Sequence, residues 1–346
     1  MLRVGTADVK VFCVRVDVLF VSFLMGLKNI MTKSFITGGA GFIGSHLVEA
    51  CLERGHQVIV LDNLSTGKEE NIPTGNPNLQ FIQGDITDPQ VLHQIVERNP
   101  DIDYVFHLAA LVSVPQAMED PMRAHAINFD ASLLLMETFR PLALKKFVFA
   151  SSSAVYGDTK TVPVSEETST HPISTYGADK RMVEHYLAIY ADTFNLPAVA
   201  CRFFNVFGER QDPSSPYSGV ISIFFDRALA GKKGSRKPMV IYGDGQQTRD
   251  FIYVKDIVNA LIFLAEKDIF QNEVFNLGYG QQTKVVELAR KIIGLVDADC
   301  SLDFQESRNG DIKRSAADIT KILATPFNFT YSLDEGLQCL KQSLVE

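Results

Sequence analysis

From Ser34 onward, short apolar or β-branched runs alternate with longer stretches in which apolar residues recur at three- and four-residue spacing. Runs of four to eight such residues read as strands, and the three-to-four spacing reads as amphipathic helix. The expected strands are Ser34–Thr37, Gln57–Leu61, Leu79–Gln83, Tyr104–Leu108, Lys146–Ser151 and Ala198–Phe203. The expected helices are Ile43–Arg54, Pro89–Arg98, Pro121–Leu142 and Tyr176–Phe194. Alternation of this kind marks βαβ units, so the pattern predicts an α/β fold: a Rossmann-like doubly wound parallel sheet. Beyond about Asn205 the alternation loosens into connections rich in Pro, Gly and Ser, such as QDPSSPYSG and GKKGSRKP. A later strand, Val274–Leu277, and helix, Val285–Ile293, belong to a smaller C-terminal lobe.

The first thirty residues do not fit the pattern. Val9–Leu27 is apolar but interrupted by Lys10, Arg15 and Asp17, and its longest uncharged run, Val18–Leu27, is ten residues. A bilayer span needs about 20. No A-x-A-like site follows the run, and the charged region before it is long and includes acids, unlike a secretory signal. Met31 is the start expected for the folded unit, because MTKSFITGG places a short strand directly before a glycine-rich turn. Residues 1–30 are then an extension outside the fold.

Composition narrows the function. The 346 residues suffice for one large or two ordinary domains, and 46% hydrophobic with 21% charged residues is an ordinary globular balance. Lys and Arg number 33 against 41 acidic residues, a formal net charge of −8. That leaves no electrostatic footprint for nucleic acid or an anionic membrane. Cys13, Cys51, Cys201, Cys300 and Cys339 are odd in number, widely spaced and never in C-x-x-C, which argues against a disulfide framework and a zinc site. No metal is expected, and a reducing, cytoplasmic location fits.

The segment Thr37-Gly-Gly-Ala-Gly-Phe-Ile-Gly44 stands between an expected strand and an expected helix. Gly38 and Gly41 permit a tight turn and close backbone approach to a pyrophosphate, and Gly44 lets helix and strand pack closely. The helix N-terminus, at Phe42 and Ile43, offers free N–H groups and a positive dipole end. Asp62, eighteen residues beyond Gly44 in VIVLDN, is placed to accept from the adenosine ribose hydroxyls. Its charge repels a 2′-phosphate, so NAD is the expected cofactor rather than NADP. Asp85, in Gly84-Asp85-Ile86 after the third strand, is a candidate for the adenine edge; a turn or capping aspartate before Pro89 is the alternative.

Tyr176 and Lys180, in YGADK, share one helix face at i and i+4. An ammonium beside a phenol favours the phenolate. Bringing the phenol from about 10 to about 7 corresponds to roughly 4 kcal/mol, which a lysine and a cationic nicotinamide could supply together. Such a tyrosine is a general base for an alcohol about to lose hydride. Ser151, Ser152 and Ser153 end the fifth strand, where an open α/β sheet presents its ligands.

TGGAGFIGSH, HLAA at 107–110, SSSAVYG at 151–157, YGADK at 176–180, RFFNVFG at 202–208, TRDFIYV at 248–254 and NLG at 276–278 resemble, in order and spacing, the extended short-chain dehydrogenase/reductases. The resemblance runs from Met31 to the C-terminus and is closest to the UDP-hexose and UDP-N-acetylhexosamine 4-epimerases. It implies an NAD-binding domain over 31–204, also receiving about 249–276, and a mainly substrate-binding lobe over 205–346. It implies Ser152, Tyr176 and Lys180 as catalytic residues, with Ser153 beside them. It further implies Asn63, Ile86, Leu108, Ala109, Ala110, Asn128 and Phe203 as NAD contacts. For the UDP-sugar it implies Ser113, Asn205 at the diphosphate, Arg249 and Arg308 as phosphate-binding cations, Tyr242 near the base, Asp311 near the ribose, and Ser315. A homodimer built on the two long helices is also implied.

The implied chemistry is removal of the sugar 4-OH proton by Tyr176 while hydride passes from C4 to NAD, Ser152 holding the same oxygen. The 4-keto sugar then turns over in the site and takes the hydride back on its other face. Sugar 4,6-dehydratases carry Asp-Glu where this chain has Ser153 and Ala154, and UDP-glucuronate decarboxylases carry Glu at the position of Ala154. Elimination and decarboxylation therefore lack an evident catalyst here. Epimerases restricted to plain hexoses tend to have a bulky Tyr matching Ser315; a serine leaves room for an N-acetyl group.

Overall fold

In the computed structural model, the described residues are 31–213, 219–235, 237–307 and 312–345. The apolar run Val9–Leu27, Arg308 and Asp311 lie outside them. Thirteen strands occur among the described residues: β1 Lys33–Thr37, β2 Gln57–Asp62, β3 Leu79–Gln83, β4 Tyr104–His107, β5 Lys146–Ser152, β6 Ala198–Phe203, β7 Asn205–Phe207, β8 Met239–Tyr242, β9 Thr248–Arg249, β10 Phe251–Tyr253, β11 Glu273–Leu277, β12 Thr283–Lys284 and β13 Leu302–Gln305.

Seven of them form one parallel sheet in the order β11-β6-β5-β4-β1-β2-β3. This is the doubly wound arrangement that the alternation predicts. Because both faces are covered, the inner strands are apolar on both sides and successive residues enter different cores, while the edge strand β3, LQFIQ, keeps polar positions. Ile36, Val60, Phe106 and Val148 pack with the helices Phe42–Glu53 and Val254–Glu266. Phe35, Ile59, Val105 and Phe147 pack on the other face with Pro89–Arg98, Ala131–Phe139 and Thr175–Phe194. The chain order reverses between β1 and β4, and ligands of such sheets bind outside the C-terminal strand ends at that switch point.

The later part of the chain forms three two-stranded pairs: β7 with β10, β9 with β12 and β8 with β13. A third core joins the β7–β10 and β8–β13 pairs to the helices Val220–Lys232, Val285–Val296 and Leu333–Val345.

The expected helix Pro121–Leu142 is interrupted. It comprises α-helical Pro121–His125, a π-helical stretch Ala126–Asp130, and α-helical Ala131–Phe139. The interruption centres on Asn128, whose Oδ1 accepts from the Leu111 N–H at 2.8 Å while its Nδ2 donates to the Leu111 carbonyl at 3.2 Å. Helix Thr175–Phe194 runs uninterrupted. Ser174 caps its start by accepting from the Gly177 N–H at 3.1 Å, and Asn195, at φ +56°, ends it in the left-handed conformation.

Candidate active site

The glycine turn is built for close approach. Gly38 has φ +71°, and a Cβ there would stand 2.8 Å from the Ala109 nitrogen. A Cβ on Gly44 would stand 2.0 Å from the Gly38 carbonyl oxygen, so helix Phe42–Glu53 can begin this close to β1 only with glycine. Gly41 is the N-cap residue and contributes no side-chain capping bond, which leaves the first N–H groups of a 12-residue helix for an anion. Phe42 and Ile43 turn their side chains toward the third core.

Asp62 ends β2, 8% exposed, and its two oxygens accept from the N–H groups of Ala40, at 2.9 Å, and Leu64, at 2.8 Å. Each oxygen retains a second acceptor position for a ribose hydroxyl. Gly67 packs against the same carboxylate: a Cβ there would lie 3.0 Å from both oxygens. Asn63 Nδ2 donates to Asp85 Oδ2 at 2.9 Å, and Asp85 Oδ1 accepts from the backbone and hydroxyl of Thr87. Those hydrogen bonds hold the Asp85 carboxyl below its ordinary range against the opposing effect of partial burial. Asp85 thus forms the turn before Pro89, and Asp88 caps the helix that follows. The Ile86 side chain is buried in the second core.

After β4 the chain passes under the glycine turn. The Leu108 N–H donates to the Thr37 carbonyl and the Ala109 N–H to Thr37 Oγ1, both at 3.2 Å; Ala110 follows. The Thr37 hydroxyl and His107 Nδ1 are 2.8 Å apart, as are His107 Nε2 and Ser132 Oγ, and Ser132 donates to the Asn128 carbonyl at 2.7 Å. Full burial, with the Lys180 ammonium adding to it, pushes His107 down to about 3, so its imidazole is neutral. No signal other than the HLAA segment pointed to this chain of groups.

Ser152, Tyr176 and Lys180 converge at the C-terminal end of β5. Ser152 ends that strand, faces Phe203 of β6 and accepts from the Ala154 N–H at 3.2 Å; Ser153 opens the following 3₁₀ turn. Tyr176 lies in the first turn of its helix and is 9% exposed. Lys180 is buried, its Nζ donating to the Ala150 carbonyl at 2.8 Å, 4.6 Å from the Phe149 ring centroid and 5.8 Å from that of Tyr176. The lowering of the phenol is expected from Lys180 and a cationic nicotinamide together, and among the protein's own groups burial acts against it. Burial pushes Tyr176 up to about 12, against a smaller opposite effect of the Ser152 hydroxyl. Burial also pushes Lys180 down to about 7, opposed by the Asp179 and Glu184 carboxylates. Both shifts have one cause: a dry site disfavours the charged form of each group.

The residues expected to meet a nucleotide lie in the later part of the chain. Asn205 uses both its backbone N–H and its Nδ2 on the Asp250 carbonyl, each at 3.0 Å. Arg249 donates from Nη1 to the carbonyls of Thr248, at 2.9 Å, and Ile312, at 2.6 Å. Tyr242 ends β8, and its carbonyl accepts from Gln247 Nε2 at 2.7 Å. Ser315 is half-buried, next to Ala316, whose carbonyl accepts from the Val164 N–H at 2.8 Å. Ser113 is buried and caps the short helix Val114–Glu119 by accepting from the Gln116 N–H at 3.2 Å.

The glycine turn, the acid ending β2 and the Ser-Tyr-Lys group at the β5 end define a dinucleotide-dependent enzyme of Rossmann type. Comparison with known proteins takes the identification further. The model of the NAD dependent epimerase/dehydratase family matches residues 34–278, and the chain belongs to that family. Its cofactor is NAD. The UDP-glucose 4-epimerase of Mycolicibacterium smegmatis is 36% identical over 292 residues, covering 84% of this chain and 90% of that protein. The structure of UDP-N-acetylglucosamine 4-epimerase from Methanobrevibacter ruminantium M1, in complex with UDP-N-acetylmuramic acid, is 40% identical with TM-score 0.85, covering 91% of this chain and 98% of the other. The UDP-glucose 4-epimerase of Thermotoga maritima, with UDP-glucose, is 37% identical with TM-score 0.85, covering 91% and 100%. Within the family the similarity is thus to UDP-sugar 4-epimerases, which are isomerases. Among the described residues, no helix is long and apolar enough to cross a membrane.

Proposed function

We propose that the protein interconverts UDP-N-acetylglucosamine and UDP-N-acetylgalactosamine by 4-epimerisation, and also accepts the plain UDP-hexoses. The observation that carries this reading is the pairing of Ser152 with a buried Tyr176 where Ser153 and Ala154 offer no acid. Inversion at C4 requires one group to take and return one proton. Elimination or decarboxylation would require a further acid or base.

Tyr176 removes the 4-OH proton and returns it, and Ser152 hydrogen-bonds the same oxygen and keeps it aligned with the phenol. Bound NAD would supply a hydride acceptor for C4 and a positive charge favouring ionisation of the phenol, which burial alone holds neutral. Lys180, anchored on the Ala150 carbonyl, adds further positive charge in the same dry pocket when protonated. Gly38 and Gly41 let the backbone approach the pyrophosphate, Gly44 lets the helix pack against β1, Asp62 holds the ribose, and Asn63, Leu108, Ala109, Ala110, Asn128 and Phe203 line the rest of the cofactor path. A sugar that must turn over is gripped through its nucleotide. That task falls to Asn205, Tyr242 and Arg249, with Arg308 and Asp311 from the segment outside the described residues. Ser113 and Ser315 are the small side chains that leave room beside C2.

Met122, Met182, Ile189 and Phe194 are exposed on the helices around the site, and we assign them to contacts between two copies in a cytosolic homodimer. Light scattering at twice the monomer mass supports that assignment; a monomer overturns it. The reaction is tested by incubating the purified protein with UDP-N-acetylglucosamine and, separately, UDP-glucose, and resolving products by NMR. A 4-epimer without net redox is expected. Net reduction, or no C4 inversion with either sugar, overturns the reading.

A further inference from the structure

Glu184 lies four residues after Lys180 and eight after Tyr176, on the same face of one helix. Its side chain is 1% exposed. Oε1 accepts from the Ser151 hydroxyl at 2.5 Å and from Arg202 Nε at 2.9 Å; Oε2 accepts from Arg202 Nη2 at 2.7 Å and from Arg181 Nη1 at 3.4 Å. Arg202 stands in β6 directly opposite Ser151 in β5. Its remaining nitrogen, Nη1, donates to the Tyr156 hydroxyl at 2.8 Å, and Tyr156 donates to Asn276 Oδ1 at 2.7 Å. Asn276, opposite Arg202 in β11, donates from Nδ2 to the Val164 carbonyl at 2.8 Å. Val164 in turn bridges Ala317, two residues from Ser315.

A buried ion pair is seldom more stabilising than apolar residues of the same volume, so its retention here points to the geometry it fixes. This pair is forked, fully partnered and placed between the strand end that carries Ser152 and the helix that carries Tyr176 and Lys180. We infer that Glu184 is a positioning residue for the reaction proposed above: through Ser151 and Arg202 it braces the end of β5 against that helix and fixes the spacing of hydroxyl, phenol and ammonium. The inference rests on the epimerase reading for its kinetic consequence. The brace itself does not depend on which sugar reacts. The carboxylate also opposes the burial that drives Lys180 toward its neutral form.

Two variants separate positioning from folding. Ser151→Ala removes one link and leaves the Glu184–Arg202 fork intact, so the chain folds. Glu184→Gln with Arg202→Met removes the fork without stranding a buried charge. Hydrogen exchange by mass spectrometry, read without sugar, is expected to be at least threefold faster in peptides covering residues 150–157 and 174–181 in both variants, with the remaining sheet unchanged. With UDP-sugar, kcat is expected to fall about tenfold in Ser151→Ala and more in the double variant, while KM and NAD content stay within twofold. Unchanged exchange in both variants overturns the brace, whether or not the wild-type protein turns over a sugar. Faster exchange with kcat within twofold of wild type, or a joint loss of kcat, KM and bound NAD, overturns its role in positioning. Absence of C4 inversion by the wild type counts against the reaction alone, because exchange still decides the brace.

Discussion

The Asp62 carboxylate accepts a hydrogen bond from the Ala40 N–H at 2.9 Å, so the acid that ends β2 is tied to the glycine turn that ends β1. The two parts of the cofactor site therefore cannot shift independently. Asp62→Ala removes this tie together with the acceptor for the ribose hydroxyls. Hydrogen bonds to a charged group contribute about 1.5–3 kcal/mol, so NAD affinity should fall roughly 10- to 100-fold. Discrimination against NADP should fall with it. Calorimetric titration of cofactor-stripped protein checks both effects.

Tyr176→Phe keeps the ring in its buried site and removes the proton acceptor. Positioned general bases contribute about 10²- to 10⁴-fold, and the loss here should reach or exceed that range. NAD content and UDP-sugar affinity should remain within about threefold, because neither grip uses the phenol as its main contact. Single-point NMR assays with equilibrium binding measure the two sides of this expectation. Unchanged turnover in the variant would remove Tyr176 from the chemistry.

The depressed Lys180 gives stability a defined pH dependence. With a folded value of about 7 against an ordinary 10.5, the folded chain binds fewer protons than the unfolded chain between those limits. Stability contributed by this site therefore rises with pH across that window and is lost as pH falls toward 7. Between pH 7 and 9 the difference in unfolding free energy between wild type and Lys180→Met should grow by about 2–3 kcal/mol in favour of wild type. Urea unfolding of cofactor-free protein at the two pH values provides the measurement. A difference that is flat or of opposite sign would contradict the burial of this ammonium.

Ser315→Tyr should narrow the substrate range. The residue is half-buried beside the Ala316–Val164 contact, so a phenol there has little room to turn outward. Turnover of UDP-N-acetylglucosamine should drop at least tenfold while UDP-glucose is retained within about threefold. Equal losses on both sugars would place Ser315 away from the C2 substituent.

The inner early strands were legible from sequence because a strand buried on both faces is a nearly continuous apolar run, as in KFVFAS and VIVL. The helix interruption at Ala126–Asp130 was not, since it accompanies a pairing between Asn128 and Leu111, seventeen residues earlier, that local periodicity does not show. The elements Phe251–Tyr253, Val254–Glu266 and Leu333–Val345 were also missed, their periodicity hidden among short loops. At the site, the glycine turn and the Tyr-Lys pair announced themselves by spacing. The Glu184–Arg202 fork did not, although two clues were present: Glu184 continues the i, i+4 series of Tyr176 and Lys180, and Arg202 is a lone charge in an apolar strand. Sequence could suggest the proximity of Tyr176 and Lys180 but not the degree of burial, which acts against the lowering expected from the lysine and the nicotinamide together.

The place of β11 in the sheet bears on how the protein is made. β11 pairs along β6, and 69 residues separate the end of β6 at Phe203 from the start of β11 at Glu273. During synthesis at about 5–20 residues per second, β6 waits several seconds with its outer edge unpaired. An open, apolar strand edge is a template for pairing with another chain. Chaperone demand and the yield of soluble protein should therefore depend on translation speed through residues 204–277, a stretch whose codons matter for assembly as well as for sequence.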